Sequence, residues 1–191
     1  MTTRETLIES TRELLWERGY TATSPRAILD RAGVGQGSMY HHFSGKAELA
    51  AEALRRNGEA LRAASAQHFD SPGTVTERIT SYLLQDRDAL KGCRIGRMAE
   101  DPEVVSDEAL RAPLDETLGW HRSRLAELLA EGQATGELSS GFSPVQVGTA
   151  IAAVVQGGYV LAKAAQASGP FDDAIAGAVA LVGSLRADAA Q

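Results

Sequence analysis

SPRAILDRAGVGQGSMYHHFSGK, residues 24–46, reads as helix, tight turn, helix and the start of a third helix. Pro25 suits the first helical position, where its missing N–H is no loss, and Ser24 before it is an N-cap. Ile28, Leu29 and Ala32 fall at helical spacing and can bury against a neighbour. Gly33 permits the left-handed geometry that closes a helix sharply. A second short helix from Gly35 is expected to carry Met39, Tyr40 and Phe43 inward. Gln36, Gly37, Ser38, the hydroxyl end of Tyr40, His41 and His42 are then left facing outward. Two short helices across a glycine turn, the second with small residues at its start and polar groups outside, suit the major groove of DNA.

Around this stretch the composition is that of an ordinary globular chain, 43% apolar and 23% charged. Its 191 residues can bury one substantial core, or a small domain attached to a larger one. A single cysteine, Cys93, excludes an intramolecular disulfide framework and fits a reducing cytosol. The amphipathic, acid-dotted opening MTTRETLIESTREL is not a secretory signal. The most apolar stretch, residues 145–165, is interrupted by Gln146, Gln156, Lys163 and several glycines, so no membrane span is expected. The net charge of −6 looks wrong for a DNA binder until it is divided. Residues 1–62 hold nine Lys/Arg against eight Asp/Glu, a charge of +1, whereas the remainder holds ten against seventeen, −7. Acidity thus belongs to the C-terminal body, and DNA attraction is confined to the N-terminal head.

Before residue 24, Leu7, Ile8, Thr11, Leu14 and Leu15 form one face of a first helix that Gly19 ends, with Trp16 off the stripe and partly exposed or packed at an edge. A long helix over 46–69, rich in Ala, Leu, Glu and Arg, can link head to body as a lever. Ser71-Pro72-Gly73 breaks it, a helix over 74–89 follows, and Lys91-Gly92 ends that one. Residues 92–99 read as a turn and a short helix, and Asp101-Pro102-Glu103 as a loop in which Glu100 and Asp101 are solvated. The next helix starts at about Ser106 or Pro113 and runs to Thr135, with Leu110, Leu114, Leu118, His121, Leu125 and Leu128 on one stripe. Pro113 either starts it or kinks it. The last two helices, 144–167 and 171–189, are apolar nearly all round, so each needs partners on two sides. A second copy of the chain would supply one of them, in a four-helix interface dense in small residues.

The run Ala32, Gly33, Val34, Gly37, Tyr40, His42, Phe43 and Lys46 resembles the DNA-binding domain of TetR-family transcriptional regulators, and the likeness extends to Leu14, Leu15, Gly19 and Tyr20. Gly35 stands where the family usually has a capping serine, and Leu29 where it usually has alanine. The Gly92-Cys93 pair followed by apolar residues makes the body similar to LmrA/YxaF-type members. By matching position, the resemblance implies Gln36, Gly37 and Ser38 at base edges, and Tyr40, His42 and Lys46 chiefly on phosphates, with His41 at a variable position touching base or backbone. Ser24 and Arg26, at a helix start, suit phosphate contact through N–H groups and charge, and Thr23 is expected to help Ser24 at the cap. Gln36 can offer both a donor and an acceptor to adenine.

In the body, His121 is either a buried histidine bonded to a carbonyl or carboxylate, or a polar contact for a ligand. Cys93 is a small core residue or a sensor, and Tyr82, Met98, Trp120 and Tyr159 line an apolar cavity or fill the core. Cys93 with His121 could make a nucleophile–base pair, but no orienting third residue, phosphate loop or oxyanion signature accompanies them. Nor is a zinc site evident, so no enzyme, metal or cofactor is expected. The expectation is an all-α chain with a helix-turn-helix DNA-binding domain over residues 1–46 and a ligand-binding and dimerisation domain over 47–191. It would act in the cytoplasm as a homodimeric repressor on a palindromic operator, released by a small apolar effector. The alternative is a helical small-molecule-binding protein with a vestigial DNA head.

Overall fold

The structure, a computed structural model, describes residues 2–187. Among the described residues it is all helical, with one isolated antiparallel bridge between Leu138 and Arg186. The chain divides into two compact units, one holding residues through Leu61 together with Cys93–Thr117, the other Arg62–Gly92 together with everything from Leu118 on.

The first unit contains α1 (Thr3–Arg18), α2 (Pro25–Ala32), α3 (Gln36–His42) and the start of α4 (Lys46–Phe69), followed later by a 3-10 turn (Gly96–Glu100), α6 (Pro102–Ser106) and the start of α7 (Glu108–Ala134). Leu7, Ile8, Leu14 and Leu15 of α1, Ile28 of α2, Met39 of α3 and Leu49 and Leu54 of α4 are all at most 1% exposed. Each such side chain contributes about 1.5–3 kcal/mol relative to exposure, which lets four short pieces hold one another in place. Charges reinforce α1 on α4. Arg56 pairs with Glu5 and, at 3.0 Å, with Glu52, while Arg12 Nε donates to Asn57 Oδ1 at 2.8 Å. The Glu5 hydrogen bond holds the Arg56 guanidinium above its ordinary pKa. Trp16 is half-buried, with the Arg94 guanidinium 3.8 Å from its ring centre.

The second unit contains the rest of α4, α5 (Val75–Leu84), the rest of α7, α8 (Pro144–Ala165) and α9 (Gly169–Gly183). Phe69, Val75, Ile79, Leu83, Leu125, Leu128 and Leu129 form its core with the inner faces of α8 and α9. Gly148 lets α8 press on α7, since a Cβ there would lie 2.9 Å from the Ala126 nitrogen. Helix α8 is, by length and composition alone, long and apolar enough to cross a membrane. Core helices of soluble proteins meet the same criterion, and α8 gives Ile151, Val155 and Ala162 to the core of its unit.

Several boundaries move. Helix α5 stops at Leu84 and not at 89, because Arg87 donates to the carbonyls of Leu83 (2.6 Å), Tyr82 (2.7 Å) and Gln85 (3.2 Å) and satisfies the helix end early. Asp101-Pro102-Glu103 is no loop: Asp101 caps α6, accepting from the Glu103 N–H at 3.2 Å, and Pro102 takes the first position. Pro113 lies inside α7 and does not start it. Helix α8 ends at Ala165, two residues short, where Gln166 turns left-handed (φ 52°). Helix α9 begins at Gly169 and ends at Gly183, because the following backbone pairs elsewhere: Ser139 N–H donates to the Leu185 carbonyl at 2.8 Å, and Ala187 N–H to Glu137 at 3.0 Å. Residues 188 and 189 of the expected helix lie outside the described residues.

Candidate functional site

Local rules build the α2–turn–α3 unit as the sequence indicates. Ser24 Oγ accepts from the Ala27 N–H at 3.1 Å with Pro25 next, and Gly33 is left-handed at φ 65°. Its turn is tied by the Val34 N–H donating to the Leu29 carbonyl at 3.2 Å. Gly35 then starts α3 without a side-chain cap. Met39 at 0% and Phe43 at 4% exposure anchor α3 inward.

The rest of α3 is turned out, with differences from the sequence reading. Gln36, Gly37 and His41 are exposed, and a Cβ on Gly35 or Gly37 would meet nothing within 4 Å, so the start of α3 is bare backbone. Tyr40, expected to lean inward, is 53% exposed, because it sits about 100° round the helix from the buried Met39. Ser38 and His42 are half-buried rather than fully outside, and the His41 and His42 rings stand 4.8 Å apart, edge to face. Thr23 does not serve the cap. Its hydroxyl is fully buried and donates to the Gly19 carbonyl at 2.6 Å.

Between α2 and α3 lies an open cleft of about 520 Å³, floored by Leu29, Val34 and Met39 and rimmed by Ser24, Arg26 and Gln36. Arg26 pairs with Asp30 at 2.9 Å on this rim, both side chains largely in solvent. The spacing of Asp30, four residues after Arg26, is the signal in the sequence for such a pair. Lys46 is half-buried, its Nζ 3.7 Å from the centre of the Tyr20 ring. Glu48 accepts from both the N–H and the hydroxyl of Ser44 at 2.7 Å, and these bonds lower its pKa while fixing the start of α4. The surface therefore offers N–H groups, amide, hydroxyl and imidazole groups on α2 and α3, with one cation, Arg26, on α2 and another, Lys46, at the start of α4.

The six body candidates are not one cluster. Tyr82 and His121, each 5% exposed, and the half-buried Trp120 belong to the second unit. There Phe69 stacks 4.5 Å from Tyr82, and Trp120 meets His121 edge-on at 5.0 Å. His121 Nε2 lies 2.9 Å from the buried Ser65 hydroxyl, a partner the sequence reading did not name. Tyr159 stacks on Phe171 at 4.7 Å. Cys93 and Met98 are buried in the first unit, where Cys93 Sγ accepts from the Gly96 N–H at 3.2 Å. Among the described residues no group of His, Cys, Asp and Glu is placed to hold a metal ion.

Residues 7–53 match the model of bacterial regulatory proteins of the tetR family, and residues 73–178, more than half of the chain, match the tetracyclin repressor-like C-terminal domain. The chain is 26% identical over 165 residues to the uncharacterized HTH-type transcriptional regulator YxaF of Bacillus subtilis, covering 83% of each. It is 31% identical over 135 residues to the HTH-type transcriptional repressor KstR2 of Mycolicibacterium smegmatis, covering 70% of this chain and 66% of that one. The crystal structure of the reduced form of E. coli NemR superposes with a TM-score of 0.84 at 25% identity, covering 97% and 98% of the two chains. Those proteins are regulators of transcription, not enzymes. With both halves matched and the helix-turn-helix laid out as described, the chain belongs to the TetR family of transcriptional regulators.

Proposed function

We propose that the chain is a cytoplasmic repressor, a homodimer that binds a palindromic operator and releases it when a small apolar ligand enters the body. The carrying observation is the bare, outward start of α3, where Gly35 and Gly37 leave room for close approach and Gln36 stands exposed between them. In this reading residues 1–46 are the DNA-binding domain and 47–191 the ligand-binding and dimerisation domain. Gln36, Gly37 and Ser38 meet base edges, with Gln36 reading adenine. Ser24, Arg26, Tyr40, His42 and Lys46 hold phosphates, and His41 touches base or backbone. The name of the KstR2 relative supports repression.

Support for the dimer comes from α8 and α9, which leave Val145, Val160, Leu161 and Leu181 between 53% and 67% exposed. A second copy would cover these faces, and in the dimer two α3 helices would meet successive major grooves, ~34 Å or a little more apart. Tyr82, Trp120 and His121 mark the aromatic, partly polar region of the second unit that suits an apolar ligand; Cys93, Met98 and Tyr159 are further candidates. The ligand must favour a conformation in which the heads are wrongly spaced, since equal affinity for both conformations shifts nothing. A gel shift on the DNA upstream of the chain's own gene tests this. A retarded band that weakens with one of a panel of apolar ligands is expected. No retardation refutes operator binding, and identical occupancy across the panel refutes the switch.

A further inference from the structure

Within the first unit, the 3-10 turn and α6 grip the turn that leads into α2. Asp101 Oδ2 accepts from the Thr21 N–H and Oδ1 from the Thr21 hydroxyl, each at 2.8 Å. Arg97 donates to the Trp16 carbonyl and, at 3.0 Å, to that of Glu17, closing the end of α1. Gly19, left-handed at φ 83°, brings the backbone close enough that a Cβ would lie 3.6 Å from Asp101 Oδ2. The held turn, residues 19–23, has Ser24 at its far end. Its Tyr20, 7% exposed, is the ring on which Lys46 rests. Two groups assigned above to phosphates are thus flanked by one turn, and that turn is fastened by one carboxylate.

We propose that Asp101 is a positioning residue for operator binding, acting through residues 19–23 on Ser24 and, by way of Tyr20, on Lys46; this rests on the DNA-binding reading above. A carboxylate is suited to the task because its two oxygens satisfy the N–H and O–H of one residue together. Burial works against its charge, but the Thr21 bonds and those from the Glu103 and Val104 N–H groups outweigh it and hold the carboxyl below its ordinary pKa. Burial, and then the nearby Glu103, Asp107 and Asp101, raise the pKa of the Tyr20 phenol, on whose ring Lys46 rests. The segment carrying Asp101 follows Gly92 and precedes Leu118 in sequence, both residues of the second unit.

The test uses the full-length protein and a labelled duplex that the unaltered protein selects from random oligonucleotides. Affinity is read by fluorescence anisotropy between about 50 and 200 mM salt, the range over which phosphate contacts separate variants. Asp101→Ala should bind roughly ten-fold more weakly, with a log K against log[salt] slope shallower by about 1 for each phosphate no longer neutralised. Lys46→Ala should cost less in the Asp101→Ala background than alone, because the ammonium it removes is already displaced from its phosphate. Thr21→Val, which deletes one of the two bonds, should show the same changes at smaller size and serves if Asp101→Ala does not fold. A merely structural Asp101 would lower the melting temperature and leave slope and additivity untouched, which overturns the proposal. If the unaltered protein selects no duplex, the DNA-binding reading falls and takes this inference with it; if it selects one and both variants match it, only this inference falls.

Discussion

Replacing Gly58 with alanine should destabilise the protein, against the usual gain of about 1 kcal/mol on removing a glycine from a helix interior. Gly58 lies in α4, and a Cβ there would stand 2.2 Å from Thr117 Oγ1 and 3.4 Å from Thr117 Cβ. Thr117 is 1% exposed and donates through Oγ1 to the Pro113 carbonyl at 2.7 Å. Its hydroxyl sits directly on Cβ, so it cannot bend aside as a long side chain would, and rotating it breaks that bond. Overpacking costs about 1–3 kcal/mol and the broken buried hydrogen bond about 1 kcal/mol. Set against the helix gain, the net loss is about 2 kcal/mol. For a chain of 191 residues this lowers the melting temperature by roughly 4–8 °C. Calorimetry at one fixed protein concentration reads it. Thr117→Ala removes the obstructing oxygen, so Gly58→Ala should be neutral or stabilising by up to about 1 kcal/mol in that background. A higher melting temperature for Gly58→Ala alone would refute the close approach of α4 and α7 at this point.

Three further outcomes are expected. Gln36→Ala should relax base preference whereas Lys46→Ala weakens all sequences alike, and equal loss on every sequence for both would remove Gln36 from base readout. Leu161→Glu or Leu181→Glu, at positions 53% and 66% exposed, should convert a dimer into a monomer in analytical ultracentrifugation; an unchanged dimer places the interface elsewhere. Glu137 is opposed by burial, but bonds from the Thr76 hydroxyl and the Thr76 and Val75 N–H groups, with Arg186 near, hold its pKa below the reference 4.5. Its stabilisation is therefore complete above that range and lost as pH falls through the lower folded value. Glu137→Gln should melt earlier at pH 7, with the gap narrowing below pH 4.5, and a gap independent of pH would contradict the assignment.

Elements defined by their own punctuation were legible in the sequence. Ser24-Pro25 and Gly33 bound α2 as local chemistry requires, and α4 runs from Lys46 to Phe69 between Ser44-Gly45 and Ser71-Pro72-Gly73. What escaped was set by groups distant in sequence or by a competing pairing. The polar run Gln85-Asp86-Arg87-Asp88 holds no glycine or proline that would end a helix before the buried Ala89, yet Arg87 folds back on the carbonyls of α5 and stops it. The end of α9 is drawn into backbone pairing with residues 137–139. Asp101-Pro102 carries the same cap-and-proline signal as Ser24-Pro25, but its adjacent Glu100 made it read as a solvated acidic loop. On α3, spacing identified Met39 and Phe43 as anchors, while Tyr40 was assigned to both faces and lies mainly outside. The six body candidates divide between two units, because composition marks aromatic and sulfur side chains without saying which neighbours they meet.

The most direct measurement is selection from random duplex oligonucleotides by the purified protein at moderate salt. A dimer presenting two copies of α3 should enrich inverted half-sites centred about one helical turn apart or slightly more, ~10–10.5 base pairs. Recovery of no sequence above the starting pool would contradict DNA recognition by this helix.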